Sequence, residues 1–240
     1  MNTLIIIPAR MASKRLPGKP MKDIGGKPMI VHTYDRCLAA NIRHVFVAVD
    51  SEELAQKLMD DYGVYAISTK KSLPSGTDRV YAAYKKLGTH YDKIINVQGD
   101  MPFIKPKLIQ QVNDLLDTGY GMTTLAAKLS KEERSDTSIV KVLVGRDGVA
   151  KKFSRDYSYS VPENYHHIGI YGFKSECLEQ FVKAKQTKRE LEEGLEQLRA
   201  MDIKLEIKVG LVEDRKDIPI GVNTMDDLLK ARGYYESLFL

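Results

Sequence analysis

The sequence predicts an α/β fold built on a mainly parallel sheet, and three observations carry that expectation. Short apolar runs alternate with amphipathic stretches of helix length through the first hundred residues. Such alternation calls for parallel strands joined by right-handed helical crossovers. Loops rich in glycine and proline follow the apolar runs, which is where ligands bind in sheets of this kind. The chain has 240 residues, 43% of them hydrophobic, enough for one large α/β domain.

Thr3–Ile7 is apolar without alternation and reads as a parallel strand buried on both faces. A loop continues to about Lys27. Pro28–Ala40 is expected to be a helix, with proline in its first turn and Ile30, Tyr34 and Leu38 on one stripe. His44–Val49 is a second strand. Asp50 is placed to cap the next helix, with Glu53 completing a capping box and Leu54 and Leu58 facing inward. Val64–Ser68 is a third strand, and Pro74-Ser75-Gly76 leads into a helix from about Thr77 to Leu87. Lys93–Val97 is a fourth strand, ending in Gln98-Gly99-Asp100. The loops 8–27, 74–77 and 98–101 should therefore converge on one site.

The second half is less regular. Pro106–Asp117 reads as a helix, Met122–Leu129 and Ser138–Val144 as strands, and polar, tyrosine-rich Lys151–Tyr165 as a loop region. His167–Phe173 is strand-like, Ser175–Ala184 and Leu191–Met201 are helical, Lys204–Val209 alternates with period two, and Thr224–Leu238 closes the chain as a helix. No internal repeat, low-complexity tract or linker divides the chain, so a single domain over residues 1–240 is expected.

Composition narrows the function classes. No run of about 18 apolar residues occurs, which argues against a membrane span. The N-terminal residues lack the basic flank, long apolar stretch and small-residue cleavage site of a signal peptide. Cys37 and Cys177 make neither a disulfide framework nor a metal cluster, and read as small buried hydrophobes in a reducing cytoplasm. The net charge of +5 is mild, and Lys and Arg are scattered except between Arg10 and Lys27. That pattern favours an anionic small molecule over nucleic acid, which would want a basic stripe with stacking aromatics.

The loop after the first strand carries Arg10, Lys14, Arg15, Lys19, Lys22 and Lys27, and Pro17-Gly18 forces a tight path. Backbone N–H groups and several cations can then point at one anion. Neither a Walker loop nor a Gly-x-Gly-x-x-Gly fingerprint is present. A solvated basic loop is the bland alternative; its place at a strand end favours phosphate binding. Asp100, at the end of the fourth strand, is the best Mg²⁺ ligand in the chain, although Gln-Gly-Asp alone could be a simple turn.

Ile7-Pro8-Ala9-Arg10-Met11-Ala12-Ser13-Lys14-Arg15-Leu16-Pro17-Gly18-Lys19-Pro20 resembles the opening of the CMP-Kdo synthetases, the 3-deoxy-manno-octulosonate cytidylyltransferases. So do 24–30, Ser75-Gly76-Thr77-Asp78-Arg79, Asn96-Val97-Gln98-Gly99-Asp100, Phe153-Ser154-Arg155, His167-Ile168-Gly169-Ile170-Tyr171, Leu195-Glu196-Gln197-Leu198-Arg199 and Gly221-Val222-Asn223-Thr224, in the same order. The resemblance implies a nucleotidyltransferase, Rossmann-like fold with a mainly parallel mixed sheet and a C-terminal capping and dimerisation portion. It implies a nucleotide-binding part at about 1–120 and a part at about 121–240 for the sugar acid and the dimer.

The implied reaction is attack of the anomeric hydroxyl of Kdo on the α-phosphate of CTP, giving CMP-Kdo and pyrophosphate for lipopolysaccharide biosynthesis in the cytoplasm. By resemblance, Ala9, Arg10, Arg15 and Lys19 bind the nucleotide, with the three cations on its phosphates. Ser75 and Gln98 lie where the family contacts cytosine. Arg10, Lys19 and Asp100 form the implied catalytic set, and Asp100 and Asn223 the implied Mg²⁺ ligands. Arg155 is the implied partner of the Kdo carboxylate, with His167, Tyr171, Glu196 and Gln197 completing the sugar pocket. CTP and Kdo are the expected partners, in a homodimer with no nucleic acid and no membrane.

Three departures from the family pattern stand out. Met101 replaces a frequent glutamate, Asn223 a usual aspartate, and the segment from Ser160-Val161-Pro162 to His166 is short. An asparagine coordinates through its carbonyl oxygen but carries no charge, so weaker Mg²⁺ binding is expected. The competing readings are a cytidylyltransferase for 8-amino-Kdo or sialic acid and a catalytically weak nucleotide-binding relative. Pro20 and Glu196-Gln197 favour Kdo over sialic acid; Arg10, Lys19 and Asp100 favour catalysis.

Overall fold

The computed structural model describes residues 2–13, 15–156 and 164–239. In chain order its elements begin with β1 (Thr3–Pro8), β2 (Asp23–Ile24), β3 (Lys27–Pro28), α1 (Met29–Leu38), β4 (His44–Val49), α2 (Glu52–Tyr62), β5 (Ala66–Ser68), α3 (Gly76–Leu87) and β6 (Lys93–Val97). They continue with α4 (Pro106–Leu115), β7 (Met122–Lys128), β8 (Lys141–Val144), β9 (Ala150–Ser154) and β10 (Asn164–Lys174). α5 (Ser175–Lys183), α6 (Lys188–Glu193), α7 (Gln197–Asp202), β11 (Ile207–Val212) and α8 (Met225–Ser237) complete the series. No helix of the described residues is long and apolar enough to cross a membrane.

Two compact units emerge, each discontinuous in sequence: Thr3–His90, Asn96–Ile109 and Pro219–Leu240 in one, and Tyr91–Ile95 and Gln110–Ile218 with Asn2 in the other. The first unit holds the motifs from the N-terminal loop, residues 75–79 and 96–100, and Asn223; the second holds Arg155, His167, Tyr171, Glu196 and Gln197.

In the first unit β1 and β5 both pair with β4 in parallel, in register Ile6↔Phe46 and Ala48↔Ile67. Leu4, Ile5, Ile6 and Ile7 are fully buried, which explains the unbroken apolar run. Helix α1 packs on β1 and β4, while α3 packs on β1, β4 and β5. A satellite core of Leu16, Ile24, Met29, Val222, Leu228 and Ala231 binds the N-terminal loop to α8. The cap of α2 differs from expectation by one residue. Ser51, in extended geometry, accepts the N–H of Leu54 at 3.2 Å, while Asp50 turns back toward the N-terminal loop.

The second unit is mixed. β11 runs parallel to β7, β10 antiparallel to β7 with an irregularity between Ile168 and Tyr171, and β8 antiparallel to both β10 and β9. The strand β9 stands where a loop was expected. Its burial pattern leaves Lys151 and Lys152 exposed in succession between buried Ala150 and Phe153, so no alternation betrays it. The helix expected over Leu191–Met201 is broken at Gly194, whose φ of 64° caps α6. Across the break, buried Arg199 donates to both carboxylate oxygens of Glu190 (2.8 and 2.6 Å) and stacks 4.4 Å from the Phe181 ring. The final strand lies at Ile207–Val212 rather than 204–209, because Lys204 adopts φ 61° and turns the chain before it.

Candidate active site

The loop following β1 is tethered at three points. Ala9 prolongs the pairing of β1 through its N–H to the Ala48 carbonyl (2.8 Å), and Asp50 accepts the N–H of Met11 at 3.1 Å. Leu16 is buried in the satellite core. Gly18, at φ 67°, donates to the Met11 carbonyl and opens a single 3₁₀ turn at Lys19–Met21. These tethers leave Arg10 and Arg15 exposed and Lys19 half-buried.

Lys19 is the hub. Its Nζ donates to Asp100 Oδ2 at 2.8 Å and to Asn223 Oδ1 at 3.2 Å, and Arg15 donates to the same Asn223 oxygen at 3.0 Å. The Asp100 carbonyl accepts the N–H of Val222 at 2.9 Å, which ties the two acidic-side segments together. The 98–100 turn approaches β1 so closely that a Cβ on Gly99 would lie 2.9 Å from the Pro8 carbonyl oxygen. Gly76 meets both Pro8 and Gln98 in the same way, with a Cβ there 3.5 Å from the proline ring and 3.3 Å from Gln98 Oε1. The three loops expected to converge therefore meet at the ends of the strands.

Ser75 caps α3. Its Oγ accepts the N–H of Asp78 (3.2 Å) and donates its proton to Asp78 Oδ2 (2.7 Å), so what it offers a ligand is a lone pair. Met101 is buried, with its N–H on the Gln98 carbonyl. Behind the loop lies Arg79, almost fully buried and donating to Val49 O, Thr69 Oγ1 and Lys70 O. Burial lowers its pKa; nearby Asp50 opposes that shift and the charge of Arg10 adds to it.

The donor set suits a hard divalent cation. Asp100 Oδ2 and Asn223 Oδ1 both reach one ammonium group, so a cation could take both oxygens. Mg²⁺ typically binds through one or two protein oxygens and completes its shell with phosphate and water. Among the described residues no group of three or more His, Cys, Asp and Glu side chains gathers around a point.

The second unit assembles the other candidates. Buried His167 places Nε2 3.0 Å from Thr124 Oγ1, whose proton is directed to the Ile170 carbonyl at 2.7 Å. His167 Nε2 is therefore the donor, and Nδ1 the acceptor. Burial, with a smaller push from His166, lowers the His167 pKa to about 3, so the ring is neutral. It packs edge-on against Phe153 at 5.0 Å and lies 5.6 Å from the Tyr171 ring. The Tyr171 hydroxyl donates to buried Gln197 Oε1 at 3.1 Å, and burial followed by the Glu196 charge raises its pKa. Half-buried Glu196 immediately precedes α7, without a side-chain cap bond to it.

Arg155 follows β9. Its Nη1 donates to the Thr137 and Ser138 carbonyls, each at 3.1 Å, and its own carbonyl accepts from buried Lys141 Nζ at 2.7 Å. Lys14 and the short segment at Ser160-Val161-Pro162 lie outside the described residues.

Several polar groups lie outside the set expected from the sequence, among them His166, which strand alternation places on the face opposite His167. His166 pairs with Glu133 at 3.0 Å, and Glu133 also takes Arg215 at 2.8 Å and the Ser130 N–H. Burial alone would raise the Glu133 pKa, but these partners outweigh it and bring it to about 2. The tether at Asp50 and fully buried Asn96 were also missed. Asn96 did leave a trace: it precedes Gln98 by two residues at a strand end, hence on the same face.

A family model described as cytidylyltransferase matches residues 4–207. A 3-deoxy-manno-octulosonate cytidylyltransferase of Rhodopseudomonas palustris (strain BisB5) is 42% identical over 239 residues, covering 96% of either chain. Its counterpart in Rickettsia felis is 40% identical over 99% of this chain and 96% of its own. Among solved structures, a CMP:2-keto-3-deoxy-manno-octonic acid synthetase complexed with CTP superposes with a TM-score of 0.88 at 34% identity, covering 99% of both chains. A glucose-1-phosphate thymidylyltransferase of Bacillus anthracis shares the fold at a TM-score of 0.70 and 14% identity, over 97% of this chain and 95% of that one.

Proposed function

The chain belongs to the cytidylyltransferase family, among the 3-deoxy-manno-octulosonate cytidylyltransferases, and from that membership we propose that it transfers CMP from CTP to the anomeric hydroxyl of Kdo. The observation that carries the proposal is the contact of Lys19 with Asp100 and Asn223 beneath a loop presenting Arg10 and Arg15. In the reaction a bond forms between the anomeric oxygen and the α-phosphorus, the bond to the bridging oxygen breaks, and pyrophosphate leaves.

Such a step depends mainly on positioning and charge neutralisation. Arg10 and Arg15 are exposed and Lys19 half-buried, so all three can take phosphate oxygens. Arg offers a planar fork and Lys a point charge. Lys19 and Arg15 already hold Asn223, so the triphosphate would replace or share these contacts. Gln98 and Ser75 would meet the base. A Mg²⁺ held by Asp100, Asn223 and phosphate oxygens would shield the phosphate charge and acidify the attacking hydroxyl.

On the acceptor side, the Arg155 guanidinium would clamp the Kdo carboxylate. His167 Nδ1 would accept a sugar hydroxyl proton, while Tyr171, Gln197 and Glu196 would fix the remaining hydroxyls. We place the enzyme in the cytoplasm as a homodimer, feeding lipopolysaccharide biosynthesis.

Pyrophosphate release measured with each NTP, Mg²⁺, and Kdo, 8-amino-Kdo or sialic acid tests the substrate assignment. Turnover greatest with CTP and Kdo is the expected result. Preference for either other sugar acid would reassign the acceptor, and CTP binding without turnover on any acceptor would make the chain a binding protein.

A further inference from the structure

Resting on the CTP reading above, we propose that Asn96 is a positioning residue that sets which pyrimidine the site accepts, by fixing the orientation of the Gln98 amide. Three side chains form a relay within the first unit. Asn96 Nδ2 donates to Thr77 Oγ1 at 3.1 Å, and Gln98 Nε2 donates to Asn96 Oδ1 at 3.2 Å. Asn96 is fully buried and Thr77 nearly so, whereas Gln98 is half-exposed. The relay therefore runs from the interior to the site, and its buried end is held by protein partners.

A free glutamine amide can turn over, exchanging its oxygen for its nitrogen. Here the Asn96 oxygen accepts the Gln98 N–H, so Gln98 Oε1 is the atom turned away from Asn96 and one N–H remains for a ligand. The amide lies over Gly76, where a Cβ would come 3.3 Å from Oε1 and 3.5 Å from Nε2, so the bare backbone makes room for the amide while the Asn96 contact sets its orientation. Cytosine presents an amino donor beside a ring-nitrogen acceptor, the complement of an outward oxygen beside an N–H. Uracil presents a carbonyl acceptor beside a ring N–H, the reverse pattern. With the amide locked, uracil meets oxygen against oxygen and hydrogen against hydrogen. Once unlocked, the amide could turn to suit either base.

The test compares kcat/KM for CTP and for UTP, each with Kdo, in the wild type, Asn96→Ala and Asn96→Asp, alongside direct binding of both nucleotides. In Asn96→Ala the preference for CTP over UTP should fall by about 10- to 100-fold, the scale of one or two misplaced hydrogen bonds, mostly through KM. Asn96→Asp should retain most of it, because a carboxylate oxygen accepts the same N–H. An Asn96→Ala enzyme weakened equally toward both nucleotides, with the ratio unchanged, would overturn the proposal and leave Asn96 a packing residue. Should Asn96→Ala fail to fold by thermal melting, Thr77→Val frees the other end of the relay and should lower the same ratio, and an unchanged ratio there counts equally against it. Absence of CTP-plus-Kdo turnover in the wild type would sink the functional reading alone, since the CTP-to-UTP binding ratio still reports on Asn96.

Discussion

Lys19, Arg15, Asp100 and Asn223 reach one another from loops, are polar or charged, and remain at least partly exposed. His167, Tyr171 and Gln197 instead stand on a long strand and a short helix, buried and neutral, each bonded to a neighbour in its own unit. The first set is held together by side-chain contacts between groups that keep some access to solvent, so an incoming polyanion can exchange with them. The second is buried and internally bonded, the arrangement that the proposed reading of several sugar hydroxyls would require. Under the proposed function, charge handling and shape reading would fall to different kinds of scaffold.

The contrast breaks most visibly at Asp100. Asp100→Ala removes the carboxylate facing Lys19 and should reduce turnover by about a thousandfold or more, while the melting temperature stays within a few degrees. A variant that unfolds would mean that the pair is structural. On the buried side the balance reverses. Tyr171→Phe strips Gln197 Oε1 of its donor and should cost about 1–3 kcal/mol of stability. The KM for the sugar acid should rise about tenfold with CTP affinity unchanged, as read by denaturant unfolding and isothermal titration.

Asn223→Asp sharpens the comparison, since it places a second carboxylate before Arg15 and Lys19. The half-saturating Mg²⁺ concentration should fall several-fold, and Mn²⁺ binding in the presence of CTP should tighten. An unchanged or higher value would deny residue 223 a ligand role.

A further effect concerns pH. His167 has an ordinary pKa of 6.5 when unfolded and about 3 when folded. Between these values the unfolded chain binds a proton that the folded one refuses, so stability from this group is complete above 6.5 and declines as pH falls toward 3. His167→Gln should flatten that part of the stability profile measured by denaturant melts at successive pH values. An unaltered slope would assign the acid sensitivity elsewhere.

The two regions were also unequally legible. The buried strand β1, the cationic loop and Asp100 follow from local features: an unbroken apolar run, a Pro-Gly turn and a carboxylate at a strand end. Their convergence follows from the topology of a parallel sheet. The second unit depends on partners remote in sequence. The strand β9 hides behind successive exposed lysines, and Gly194 reads as one residue in a helix until its positive φ is seen. Arg199 looks like a surface charge on a helix, yet it is buried because Glu190 and Phe181 enclose it. The cap at Ser51 rather than Asp50 turns on a single residue's backbone geometry, which composition does not record. His167 was recognisable only through its motif; nothing local tells a neutral, tautomer-fixed ring from a core histidine.

The most direct measurement is ³¹P and ¹³C NMR of the products formed from CTP, Kdo and Mg²⁺ by the wild-type protein. The expected spectrum contains pyrophosphate together with a single phosphodiester whose phosphorus couples to the anomeric carbon of Kdo, absent with Asp100→Ala. Phosphate attached at any other carbon, or hydrolysis of CTP to CMP with Kdo unmodified, would contradict the assignment of a cytidylyl transfer to the anomeric hydroxyl.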